Sequence, residues 1–209
     1  MVDDSDHYDT DAFSLSIETP SLPERREGQR HLTILRVGKL VSGETQELCL
    51  IRNISAGGLM AHVYLPHDIG QHIVVELKGG HQLAATVRWA KDGHIGAEFE
   101  TRINVEQVLA ADPVDPGTRP RAPRLDITRD ARIRVRDVVG KALIRDISQG
   151  GARIETRQEI PLGETIVITI NGFEAKQAVV RWTGDDQYGL EFPQTISLHD
   201  FMTGLQKGS

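Results

Sequence analysis

The chain has 209 residues, with 24 Lys and Arg against 30 Asp and Glu, for a formal net charge of −6. That length suits one large domain or two of about 100 residues each, and the acidic balance argues against a general nucleic-acid binder, so no DNA or RNA partner is expected. The single cysteine, Cys49, excludes an internal disulfide framework and a cysteine-based zinc site, and it fits a reducing compartment.

Residues 1–20 hold Asp3, Asp4, Asp6, Asp9, Asp11 and Glu18 and no Lys or Arg. They offer neither a basic region nor an apolar run, so they do not read as a signal peptide. Low hydrophobicity with one sign of charge predicts a disordered acidic tail. The alternative is a segment that folds back on Arg25, Arg26 and Arg30 when no ligand is present. No stretch approaches the roughly 20 apolar residues of a membrane span. The expectation is a cytoplasmic protein without membrane insertion.

Residues 31–37 and 47–52 are short apolar runs around Ser42-Gly43-Glu44-Thr45, and read as two strands and a turn. The second run enters Asn53-Ile54-Ser55-Ala56-Gly57-Gly58, a sharp turn with a polar lip. Asn bonds its own backbone, Ser adds a hydroxyl, and glycines allow positive φ and close backbone approach. A third strand follows from Leu59 to Leu65 and is broken by Pro66-His67-Asp68-Ile69-Gly70. Residues 71–78 and 82–90 are β-rich and joined through Gly79-Gly80, and Lys91-Asp92-Gly93 turns the chain into His94–Phe99. Many short strands separated by turns indicate an antiparallel barrel or sandwich. Residues 103–111 are expected to form one short helix. Residues 112–120, with three prolines and a glycine, form a stiff linker.

The pattern then restarts. Leu50–Gly58 returns as Leu143–Gly151, Val87-Arg88-Trp89 as Val180-Arg181-Trp182, and Gly96–Phe99 as Gly189–Phe192, every time 93 residues later. Between Asn53–Phe99 and Asp146–Phe192, 16 of 47 positions are identical without a gap. That identifies a tandem duplication of one β-domain, with the tail at 1–20, domain 1 at 21–111, the linker at 112–120 and domain 2 at 121–209. Residues 195–206 have apolar positions at helical spacing and close the second domain.

Arg26-x-x-x-Arg30 followed after 22 residues by Asn53-x-Ser55-x-x-Gly58 resembles the PilZ domain, a bacterial receptor module for cyclic di-guanosine monophosphate (c-di-GMP). The resemblance extends to the later V-R-W and G-x-E-F segments and covers nearly the whole chain as two copies. It implies a mainly β protein, two tandem small antiparallel Greek-key-like barrels each with a short C-terminal helix. It also implies an arginine arm that wraps over a dinucleotide seated on the Asn/Asp-x-Ser-x-x-Gly surface.

The chemistry agrees with that reading. The ligand offers two phosphates and two guanines. An arginine fork fits phosphate oxygens, matches guanine O6 and N7 bidentately and stacks on the ring. The expected ligand-binding residues are therefore Arg25, Arg26, Arg30, Asn53, Ser55, Gly57 and Gly58, with Arg25 either a third contact or a solvated neighbour. Asn53 and Ser55 would meet the remaining base-edge groups, and Gly58 would keep the floor free of side chains. Binding would order the arm and alter its angle to neighbouring surfaces.

Domain 2 departs from the pattern. Arg124 precedes Asp146 by 22 positions, as Arg30 precedes Asn53 by 23, but Pro120 stands four residues before Arg124 where an arginine is required. Arg121, Arg124, Asp146, Ser148 and Gly151 form a possible second site with a degenerate arm. The expected role of this copy is dimerisation, partner contact or support of the first site, with independent binding as the alternative.

Six of the eight histidines, including His62, His67 and His72, lie between 31 and 94 without metal-ligand spacing and read as surface residues. Trp89 and Trp182 read as core or rim packing, with base stacking as the alternative. Arg52 and Arg145 read as strand-edge charges and Cys49 as buried and inert. No nucleophile–base pair, lysine-bearing phosphate loop or metal set is present, so neither an enzyme nor a cofactor is expected. The reading is a non-enzymatic c-di-GMP receptor, monomer or homodimer, acting on an unidentified protein partner in motility, biofilm or polysaccharide control. A PilZ-like scaffold that does not bind the nucleotide is the alternative.

Overall fold

Alternation of buried and exposed residues marks the strands of this protein. In β5 (Gln82–Lys91), Leu83, Ala85 and Val87 are buried while Gln82 and Ala84 are exposed, which is the period-2 signature of a sheet with one face on a core. The computed structural model describes residues 32–78, 80–110 and 122–208. The expected tail and linker, and Arg25, Arg26, Arg30 and Arg121, lie outside these residues.

β1 (Leu32–Ser42), β2 (Thr45–Ser55), β3 (Gly58–His62), β4 (His72–Glu76), β5 and β6 (His94–Phe99) close into an antiparallel barrel in the order β1-β2-β3-β6-β5-β4, followed by α1 (Val105–Ala110). β7 (Leu125–Val135), β8 (Val138–Ser148), β9 (Gly151–Glu155), β10 (Thr165–Ile170), β11 (Lys176–Gly184) and β12 (Gln187–Glu191) repeat that order in a second barrel, which α2 (Leu198–Lys207) completes. The fold is mainly β, two closed barrels in tandem, as the duplication implied.

Each barrel has its own apolar core. Ile51, Ile54, Val75, Val87 and Ile95 anchor the first, and Ile133, Ile144, Ile154, Ile166 and Val180 the second. Ile103, Val105, Val108 and Leu109, in and beside α1, pack on the first core. α2 is fixed more firmly. Ser197 caps its N-terminus by accepting the Asp200 N–H at 3.1 Å. At its other end Arg129 donates to the carbonyls of Gly204 and Leu205 at 3.3 and 2.8 Å, filling acceptors that a helix C-terminus leaves open.

α2 also reaches the first barrel. The Leu48 N–H donates to Met202 Sδ at 3.4 Å, Gln206 Nε2 donates to the Tyr64 carbonyl at 3.1 Å, and the Tyr64 and His199 rings approach to 6.4 Å. β7 adds an ion pair from Asp126 to Lys39 at 3.0 Å. Leu48 is therefore buried in the cluster of the second barrel, whereas its neighbour Cys49 is buried in the first. At this point β2 is covered on both faces.

Two local expectations are corrected. β3 ends at His62 instead of running to Leu65, because Glu47 Oε2 takes the backbone N–H groups of Tyr64 and Leu65 at 2.7 and 3.2 Å and draws them out of the ladder. The side chain of His67 is buried, only 2% exposed, with its Nε2 2.6 Å from the equally buried Glu47 Oε1. Its Nδ1 lies 3.1 Å from Gln71 Oε1. A carboxylate taken out of water requires such partners.

Burial, and after it the charge of Glu47, pushes the Cys49 thiol up to about 12. An unfolded chain ionises this thiol near its ordinary value. The contribution of Cys49 to stability is thus complete below that value and is lost as pH rises toward the folded one. A thiol reagent at mildly alkaline pH is expected to leave the native protein unlabelled and to label it stoichiometrically in strong guanidinium. Rapid labelling of native protein would instead mean that β2 opens.

Candidate functional site

The hairpin between β2 and β3 carries the polar turn. Ser55 pairs with Gly58 in register, and Ser148 with Gly151 in the second copy. Each serine hydroxyl donates across its own hairpin, to Gly58 O at 3.2 Å and Gly151 O at 3.3 Å. Ser55 and Ser148 are only 6% and 3% exposed, so their hydroxyls staple the turn. The Gly57 and Gly150 carbonyls accept the N–H groups of Phe99 and Phe192, both at 2.9 Å, and tie the hairpin tip to the next strand.

None of Gly57, Gly58, Gly150 and Gly151 has a positive φ, so the conformational freedom expected of them is not in use. Close approach is. A Cβ on Gly58 would fall inside van der Waals contact of Ala97 O on β6, and one on Gly151 would meet Leu190 O on β12 in the same way. The glycine leaves room for the neighbouring backbone.

Asn53 and Asp146 occupy equivalent places, at a register shift in the strand just before the hairpin. A bulge of this kind re-aims side chains. Their surroundings differ sharply. Asp146 is 7% exposed, and both its oxygens are engaged: Oδ1 by Arg124 Nη1 and Oδ2 by Arg153 Nε, each at 2.7 Å. Arg124 and Arg153 stay 40% and 37% exposed. Arg153 was not singled out from the sequence. Its signal was the cross-strand register that places it opposite Asp146. In the first barrel the corresponding residue is Met60, opposite Asn53. Asn53 Oδ1 is buried and has no hydrogen-bond partner among the described residues. An acceptor left in that state costs about 1–3 kcal/mol.

The structure thus brings Asn53, Ser55, Gly57 and Gly58 together in one hairpin, and Arg124, Asp146, Ser148 and Gly151 in the other. It does not describe Arg25, Arg26, Arg30 or Arg121. The tryptophans are rim residues. Trp89 and Trp182 each lie over a glycine of the next strand, Gly96 and Gly189, on the outer face of a bulged strand. Beside them Arg88 pairs with Glu98 at 2.6 Å, and Arg181 pairs with Glu191. The repeated V-R-W and G-x-E-F segments are therefore two halves of one cross-strand contact. Arg145 is paired with Glu155 at 2.6 Å and is more than an edge charge. His62 and His94 face each other across β3 and β6, and burial, then His94 and Arg52, hold His62 below the usual imidazole range. Among the described residues no three His, Cys, Asp or Glu are placed to hold a metal ion, and no helix is long and apolar enough to cross a membrane.

Replacing Gly58 by Ala is expected to cost roughly 1–3 kcal/mol, because β6 must move away from the added methyl. Chemical denaturation measures this. An unchanged midpoint would show that the hairpin relaxes freely.

The model of the PilZ domain matches residues 24–111 and again 118–206. No curated protein matches the chain. Among solved structures it is similar to Borreliella burgdorferi PlzA in complex with c-di-GMP, at 13% identity over 82% of this chain and 86% of that one, with a TM-score of 0.36. It is similar also to the Bacillus subtilis inhibitor of motility MotI/DgrA, at 15% identity over 84% and 95%, with a TM-score of 0.35. Escherichia coli YcgR in complex with c-di-GMP matches at 12% identity over 82% of each chain, again with a TM-score of 0.35. With two successive matches covering most of its length, the chain belongs to the PilZ domain family.

Proposed function

We propose that this protein is a non-enzymatic c-di-GMP receptor whose binding site is built on domain 1. One observation carries the reading: among the described residues Asn53 Oδ1 is a buried acceptor without a donor, whereas its counterpart Asp146 has two. Guanine N1–H and N2–H groups, or an arm guanidinium, are the complement such an oxygen lacks. Membership of the PilZ family and the Arg26-x-x-x-Arg30 spacing support the same assignment.

In this reading Arg26 and Arg30, with Arg25 beside them, hold phosphate and guanine edges. Asn53 supplies the polar base contact. Ser55, Gly57 and Gly58 maintain the hairpin and its close fit against β6. Domain 2 has the same hairpin, but Asp146 is already neutralised by Arg124 and Arg153. A ligand there would have to displace two charge-assisted hydrogen bonds, each stronger than a neutral one. Domain 2 is better suited to support the first site and to pass its change to a protein partner. The shared packing of α2 on β2 offers a physical connection between the two copies.

Calorimetric titration of the full-length protein with c-di-GMP tests this. Arg30→Ala and Asn53→Ala are each expected to weaken binding at least tenfold, about 1.4 kcal/mol, while Arg124→Ala leaves the affinity nearly unchanged. Circular dichroism of each variant establishes that it is folded. Equal losses in Arg30→Ala and Arg124→Ala would mean that both copies build one site. No binding by the wild type would overturn the receptor reading and leave a partner-binding scaffold.

A further inference from the structure

The two barrels present the same face in different states. In the first barrel Lys39 lies directly opposite Leu48 on β1 and β2, and the next outward row pairs Val41 with Gln46. The second barrel covers this face. Lys39 pairs with Asp126, Gln46 Oε1 accepts the Asp126 N–H at 3.3 Å, and Leu48 meets Met202 of α2. Adding 93 to each number gives Arg132 opposite Lys141 and Arg134 opposite Val139 on β7 and β8, in the identical register. β10 extends both rows, with Thr169 beside Arg132 and Val167 beside Arg134.

Here no described residue covers the face. Arg132, Arg134 and Lys141 are exposed, Val138 and Val139 are 60% and 66% exposed, and among the described residues none of the three cations has an ion-pair partner. Two like charges directly opposite on neighbouring strands destabilise a sheet, so the Arg132–Lys141 row gains from a counter-charge that the described residues do not supply. Where the first copy has Leu48 and Val41, the second has Lys141 and Arg134. An inter-domain contact has become a cationic surface on a chain of net charge −6.

We propose that this face of β7, β8 and β10 is a docking surface for an acidic amphipathic helix of a protein partner. Its carboxylates would neutralise Arg132 and Lys141, and its apolar residues would cover Val139. A helix is the fitting occupant because the equivalent face of the first barrel already seats one, with Met202 against Leu48. Nucleic acid fits poorly. The cations are interleaved with valines, Asp130 stands exposed in the same outward row of β7, and Asp137 is exposed at the adjoining turn. The inference does not depend on ligand binding in domain 1, and its test needs no nucleotide.

The probe is a fluorescent synthetic helix with Glu along one face and Leu and Met at i, i+3, i+4 and i+7 along the other. Its binding to the full-length protein is read by anisotropy. Saturable binding that weakens at least tenfold in Arg132→Ser/Lys141→Leu, and weakens with added salt as an exposed charge contact should, would support the proposal. The double variant removes a like-charge row and is expected to melt no lower than wild type, so the loss cannot be one of folding. Four results would overturn the proposal: no binding to wild type, equal binding to the variant, preference for a Lys-faced helix, or tighter binding of a DNA duplex. Binding that appears only after the acidic residues of 1–20 are changed to Asn and Gln would also overturn it, assigning the face to the chain's own tail.

Discussion

The burial of β2 on both faces is the constraint on which the arrangement of the two barrels depends. Cys49 points into the first barrel, and Leu48 points out of it into the cluster that contains Phe201 and Met202. An exposed barrel wall would alternate apolar and polar residues, whereas a wall packed on both sides does not have to. Glu47, next in line, is the exception that organises the adjoining loop. Its carboxylate is buried, and it gathers two backbone amides and His67. Three successive residues of one strand thus fix a core, a domain contact and a loop.

The duplication explains what is common to the copies, and its divergence explains what is particular. Serine staples, close-approach glycines and tryptophan lids recur, because each answers a backbone requirement that both barrels share. Asn53 against Asp146, Met60 against Arg153, and Leu48 against Lys141 do not recur. Among the described residues, one copy has a buried amide oxygen short of a partner and a wall occupied by α2. The other has a carboxylate held by two arginines and a wall of exposed cations. The copies diverge by such exchanges on a fixed frame.

Much of that frame was legible in the sequence. Short apolar and β-rich runs between turn residues located the strands, and the constant shift of 93 revealed the repeat. The turn residues Asn53, Ser55 and Gly58 were also visible, though the reason for Gly58 is the backbone of β6, which no local pattern specifies. What was not legible depends on register or on distant packing. Arg153 reaches Asp146 because a bulge shifts the pairing by one residue. The His67 side chain is buried against a glutamate 20 positions earlier. Nothing local tells that Arg129 closes a helix 75 residues away, or that this helix reaches across to the other barrel.

The tryptophan lids have a consequence of another kind. The chain has two tryptophans, one in each barrel, and each indole lies on a glycine of the adjacent strand while remaining partly open to water. Parting β5 from β6, or β11 from β12, takes the ring off that glycine. Nature has in effect placed one optical probe in each half of the molecule, at matched positions and in matched surroundings. Removing either indole leaves a protein whose intrinsic emission reports on a single barrel, so the order in which the two halves come apart can be read without attaching a dye.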